Sequence, residues 1–65
     1  MSNHANEMVL ERIYDDVLDL HKGDIQNIIF AIKNEFGNEY LPNPDDDEDD
    51  VIYKLVELRF EARYA

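Results

Sequence analysis

The sequence predicts an all-α fold, a small bundle of three helices. Two observations support this prediction. Apolar residues recur at intervals of three and four along three separate segments, which is the period of an amphipathic helix. The breaks between the segments contain glycine or proline, the residues that most often end helices. A chain of 65 residues forms one core at most, so we expect residues 1–65 to be a single helical domain.

The first segment predicts a helix at about residues 6–21. The side chains of one face fall at helical spacing: Leu10, Ile13, Tyr14, Val17 and then Leu20 or His21. Gly23 suits the left-handed conformation that follows many helix ends. Asp24 is a favourable N-cap for the next helix, because its carboxylate can accept a hydrogen bond from a free backbone N–H group.

The second segment predicts a helix at about residues 24–36. Its apolar stripe consists of Ile25, Ile28, Ile29, Ile32 and Phe36. Gly37 is the expected stop of this helix. A loop at residues 38–45 should follow, because Pro42 and Pro44 have no N–H group and disfavour helix in the residue before each.

The third segment predicts a helix at about residues 46–63, with an apolar face wider than a three-helix core needs. One explanation is that this helix lies centrally and contacts both of the others. The other is that a second copy of the chain covers part of the face and forms a homodimer. The residues that would form this dimer interface are Val51, Leu55, Leu58, Phe60 and Tyr64.

The charge balance indicates the class of partner. Sixteen acidic side chains stand against six basic ones, for a formal net charge of −10. Such a charge repels nucleic acid and anionic membranes and attracts basic proteins, so we expect a basic protein as partner and no direct nucleic-acid binding. The longest apolar run, residues 28–32, is far shorter than the roughly 20 residues of a membrane span. Since the first residues also lack the pattern of a signal peptide, a cytoplasmic location is expected.

Four acids of the first helix are spaced four residues apart: Glu7, Glu11, Asp15 and Asp19. We call them the acidic row; Asp16 lies beside it. Like charges at this spacing destabilise a helix by roughly 0.2–0.5 kcal/mol per pair. Successive acids of the row are separated by a rise of about 6 Å along the helix axis. DNA presents about one phosphate per 3.4 Å of its axis on each strand. Because the strand winds around that axis, the distance between adjacent phosphates is larger than this rise and comes near the spacing of the carboxylates. The row can therefore imitate a short piece of one phosphate backbone.

Six consecutive acids precede or begin the third helix: Asp45, Asp46, Asp47, Glu48, Asp49 and Asp50. We call them the acidic cluster. Carboxylates at a helix N-terminus are stabilised by the helix dipole, typically by about 0.3–1 kcal/mol each. One or two acids would be enough to gain this stabilisation. The other acids of the cluster therefore serve either solubility or binding. The acidic row, Asp16 and the acidic cluster are the candidate partner-binding residues.

The residues needed for catalysis or metal binding are scarce. The chain has no Cys and no Thr, and Ser2 is its only Ser, so no catalytic triad is expected. A calcium loop beginning at Asp46 would need Gly where Val51 stands. His4 and His21 are 17 positions apart and make no recognisable zinc motif. We therefore expect a protein that is not an enzyme and has no metal site or cofactor.

These observations favour a non-enzymatic binding protein that occupies a basic site on another protein. Its most concrete form is an inhibitor that mimics nucleic acid, as a phage or mobile element would use against a nuclease, polymerase or DNA-binding defence protein. One alternative is an adaptor or small subunit that docks through the apolar face of the third helix. Another is an antitoxin or immunity protein that neutralises a basic toxin, which shares the electrostatics of the first hypothesis.

Overall fold

The computed structural model describes the backbone of residues 3–64 and the side chains of residues 7–63. It contains three α-helices, α1 (Asn3–His21), α2 (Ile25–Phe36) and α3 (Glu48–Tyr64), and one 3₁₀ turn at Asn38–Tyr40. No strand occurs in this part of the chain, which confirms the predicted all-α bundle. Each described helix is too short or too polar to cross a lipid bilayer.

The α1–α2 hairpin follows local sequence chemistry closely. Gly23 adopts a positive φ of 79°, as expected after a helix end, and Lys22 also has a positive φ, 50°, which the sequence did not indicate. Asp24 is the N-cap of α2, and its Oδ1 accepts a hydrogen bond from the N–H of Gln26 at 3.0 Å. The prediction that Asp24 caps the start of α2 is therefore confirmed.

The end of α2 is also the predicted one. Gly37 has φ 104° and ψ 171°, and its N–H donates to the carbonyls of Ile32 and Lys33. This backbone conformation is essentially restricted to glycine. The carbonyl of Lys33, one of the last four of α2, is therefore satisfied by the residue that stops the helix.

Two helix starts differ from the prediction. α1 already includes Asn3, the first residue that the structure describes, whereas the predicted start was near residue 6. α3 begins at Glu48, because Asn43 and Asp46 close a turn in front of it. The N–H of Asp46 donates to the Asn43 carbonyl, and the Asp46 carboxylate accepts from the N–H of Asn43, both at 3.0 Å. These reciprocal bonds hold Asp46 outside the helix.

The contacts between helices define the topology. α1 runs antiparallel to α3, because His21 at the end of α1 meets Glu48 at the start of α3, and Tyr14 meets Tyr53. α2 runs parallel to α3, since Glu35 near its end pairs with Arg59. The segment between α2 and α3 therefore returns along the length of the bundle before α3 begins.

Helix α3 supplies half of the buried core. The buried apolar side chains are Ile13 and Val17 of α1, Ile28 and Ile32 of α2, and Val51, Ile52, Leu55 and Val56 of α3. The other two helices contribute two residues each, so α3 is the element that both of them pack against. This central position explains the width of its apolar face.

The dimer interface expected from the sequence is corrected at two positions. Leu55 is fully buried and Val51 is 4% exposed within the single chain, so neither retains surface for a second copy. Leu58 and Phe60 are half-buried and pack against the same core. The side chain of Tyr64 lies outside the described residues.

Candidate partner-binding surface

The acidic row lies on the solvent side of α1. All four of its side chains are exposed, and none makes an ion pair with another described residue. A step of four residues overshoots a full helical turn by about 40°. The row therefore winds around α1 over its length, so that Glu7 and Glu11 lie nearer to α3 while Asp15 and Asp19 turn outward.

Asp16 belongs to a different environment from the row. It lies close enough to Arg59 of α3 for its charge to act on the guanidinium. Arg59 donates to both carboxylate oxygens of Glu35, from Nε at 3.0 Å and from Nη2 at 2.6 Å. These hydrogen bonds raise the pKa of Arg59, partial burial opposes them, and the charges of Glu35 and Asp16 raise it further. The charge of Asp16 is thus partly balanced within the fold.

The acidic cluster divides into residues with local contacts and residues without them. Asp46 closes the turn with Asn43. The carbonyl of Asp47 accepts the N–H of Val51 at 3.1 Å, which places Asp47 at the N-cap position of α3. Glu48 lies 3.2 Å from Nε2 of His21. Three of the six acids therefore contribute to the start of α3, a role that composition alone did not reveal.

The remaining three acids of the cluster are Asp45, Asp49 and Asp50. All three are exposed and have no ion pair within the described part of the chain. Asp49 and Asp50 lie in the first turn of α3, where the helix dipole favours negative charge. The cluster lies at the hairpin end of the bundle, because Glu48 meets His21 there.

His21 connects the hairpin to the acidic cluster. Its Nδ1 accepts the N–H of Gly23 at 3.1 Å, and its carbonyl accepts from Nδ2 of Asn27 at 3.0 Å. Its Nε2 is buried and, although close to Glu48, has no hydrogen-bond partner among the described residues. The two hydrogen bonds join the end of α1 to the turn and to α2, and Nε2 faces the start of α3.

A groove of about 390 Å³ runs between α1 and α3. Its residues are Glu7, Leu10, Glu11 and Tyr14 of α1, and Tyr53, Val56 and Glu57 of α3. The rings of Tyr14 and Tyr53 lie next to each other in its lining, with centroids 5.3 Å apart and planes inclined by 31°. We call this feature the aromatic groove; it combines an apolar lining with carboxylates from both helices.

Sequence reasoning missed the aromatic groove as a site. Glu7 and Glu11 were assigned as binding residues, but Tyr53 and Glu57 were not. Tyr53 and Glu57 are four residues apart on α3, so a shared face could have been recognised from their spacing. Their position beside Tyr14 depends on the register between α1 and α3, which spacing within one helix does not determine.

The described residues provide no evident metal centre. No group of three or more His, Asp or Glu side chains in that part of the chain is arranged to hold a metal ion. The chemistry that the surface offers is electrostatic: carboxylates in water, with aromatic rings in the same groove as three of them.

Comparison with known proteins adds no relative. No protein-family model matches the chain, and no curated protein or solved structure shows significant similarity to it. The function is therefore inferred from the chemistry of the surface.

Proposed function

We propose that this protein is a non-enzymatic inhibitor that binds a basic protein and occludes its nucleic-acid-binding site. The observation that carries the proposal is the acidic row, four exposed carboxylates on one helix without a neutralising partner among the described residues. An exposed helix face usually interleaves acids and bases, because opposite charges at this spacing stabilise the helix. An uncompensated row is explained by cations that another molecule supplies.

The proposed mechanism is competitive occlusion. The acidic row and the exposed residues Asp45, Asp49 and Asp50 pair with Lys and Arg side chains that otherwise hold phosphates. Long-range attraction between opposite surfaces accelerates such association, and added salt screens it. A basic toxin would be neutralised by the same contacts, so an antitoxin role shares this mechanism.

The adaptor hypothesis has less support. It requires a free apolar face on α3, but Val51 and Leu55 belong to the core. Leu58 and Phe60 are half-buried against that core. Much of the apolar face that the adaptor hypothesis needs is therefore used within the single chain.

Capture of partners at two salt concentrations tests the proposal. The immobilised protein is exposed to a host lysate at about 50 mM and about 200 mM salt, and retained proteins are identified. We expect nucleic-acid-binding proteins to be retained at the lower concentration and largely lost at the higher one. Retention of no basic protein at either concentration would refute the proposal.

A matched pair of variants separates the row from net charge. The first variant carries Asp15→Asn and Asp19→Asn, and the control carries Glu39→Gln and Glu61→Gln, so each loses two negative charges. All four acids are exposed. We expect the first variant to retain less of the target than the control, whereas equal losses would indicate that only total charge matters.

A further inference from the structure

We propose that the aromatic groove between α1 and α3 receives an arginine side chain of the basic partner. This inference rests on the proposed function and adds a specific contact to it. Carboxylates on a flat surface attract any cation, whereas a groove lined by aromatic rings distinguishes one cation from another.

The composition of the groove fits an amphipathic cation. Leu10, which is 37% exposed, provides apolar surface for a hydrocarbon stem, whereas Val56 lines the groove but is only 2% exposed and adds little. Glu7 and Glu11 on one wall and Glu57 on the other provide negative charge for a cationic head. A neutral apolar ligand would leave these three carboxylates beside its surface without a counterion, so a cation is the complementary occupant.

The aromatic lining of the groove favours arginine over lysine. Tyr53 is 54% exposed, although its ring lies against Tyr14, so part of its side chain is accessible to a ligand. A guanidinium is planar, stacks on aromatic rings and is less strongly hydrated than an ammonium group. It can also donate several hydrogen bonds at once to carboxylates on opposite walls.

The groove also has a partner-free acidic rim. Glu7, Glu11 and Glu57 make no ion pair within the described part of the chain. By contrast, Glu35 already holds Arg59 on the other flank of α3. The Glu35–Arg59 pair shows, inside this same protein, the kind of contact that the groove is proposed to offer a partner's arginine.

Binding of two synthetic peptides tests the inference. A short arginine-rich peptide and a lysine-rich peptide of equal length and charge are titrated with the protein, and their fluorescence anisotropy is measured. We expect the arginine peptide to bind more tightly by up to about fivefold, which is the full worth of an exposed cation–π contact, because a planar guanidinium stacks on the rings better than an ammonium group. In the Tyr53→Leu variant, whose folding is checked by circular dichroism, this preference should vanish while salt-sensitive binding of both peptides remains.

A second comparison locates the contact on α1. The variant with Glu7→Gln and Glu11→Gln should lose more affinity for the arginine peptide than the variant with Asp15→Asn and Asp19→Asn, although the charge change is equal. Equal losses in the two variants, equal affinity for both peptides, or a preference that survives Tyr53→Leu would overturn the groove assignment.

The outcomes also separate this inference from the proposed function. If the groove assignment is overturned while basic proteins are still captured in a salt-sensitive manner, the proposed function stands without it. If neither peptide binds and no basic protein is captured, both proposals fail. A dimer in sedimentation velocity that Tyr53→Leu dissociates would place a second copy in the groove and likewise overturn the assignment.

Discussion

Leu55 of α3 has a role in the core of the single chain. Leu55, a candidate dimer contact by sequence, is fully buried among α1, α2 and α3. The structure therefore predicts that Leu55 acts on the stability of the single chain. A role at a dimer interface would make its effect depend on protein concentration.

Replacement of Leu55 by Ala should reduce the free energy of unfolding by about 2–5 kcal/mol, through lost burial and the cavity left behind. The control is Leu18→Ala, the same substitution at a side chain that is 38% exposed, which should cost much less. Chemical denaturation at two protein concentrations measures both. Similar effects of the two substitutions would contradict the assignment of Leu55 to the core.

Gly37 is the second residue with a specific structural requirement. No atom lies within 4 Å of a Cβ added at Gly37 or Gly23, so only backbone strain opposes a side chain at either position. Gly37→Ala should lower the free energy of unfolding by about 1–3 kcal/mol, because its conformation is nearly exclusive to glycine. Gly23→Ala, in the ordinary left-handed region, should cost less. Thermal denaturation followed by circular dichroism compares them; the reverse order would refute the account.

At the scale of elements, local chemistry predicted some helix ends and not others. Asp24 and Gly37 could be identified because capping depends on residues next to the helix end. The start of α3 could not, because Asp46 is drawn into hydrogen bonds with Asn43 instead of joining the helix. Six consecutive acids look equivalent in sequence, although the fold gives Asp46, Asp47 and Glu48 separate contacts.

Helix α1 should be stabilised when its acidic row is neutralised. The variant carries Glu7→Gln, Glu11→Gln, Asp15→Asn and Asp19→Asn. It removes three like-charge pairs, each costing roughly 0.2–0.5 kcal/mol. We expect a higher free energy of unfolding than wild type at low salt, and a smaller difference at high salt because repulsion is then screened. A variant less stable than wild type at low salt would show that the row supports the fold.

At the scale of the whole molecule, the register between helices was beyond sequence reasoning. Tyr14 lies on Tyr53, and Glu35 reaches Arg59 across 24 positions of sequence. These contacts depend on the return of the chain between α2 and α3, which no local spacing encodes. The aromatic groove and the Glu35–Arg59 pair are therefore products of the fold.

The Glu35–Arg59 pair should stabilise the packing of α2 on α3 modestly. A double-mutant cycle with Glu35→Gln and Arg59→Met should give a coupling energy of about 0.2–1 kcal/mol, the range of surface ion pairs. The pKa of Arg59 is raised in the folded protein. Its contribution to stability is therefore fully present at any pH below the ordinary pKa of arginine, and it is lost only as the pH rises through the higher pKa of the folded state. A coupling energy of zero would remove the pair from the contacts that hold α2.

The central claim is that the acidic surface occupies the site where a partner binds nucleic acid. Competition with DNA tests this claim most directly. The captured partner, saturated with this protein, is titrated with double-stranded DNA, and the bound fraction of each is measured. We predict mutually exclusive binding, in which DNA displaces the protein as its concentration rises. A stable ternary complex of partner, protein and DNA would contradict the claim.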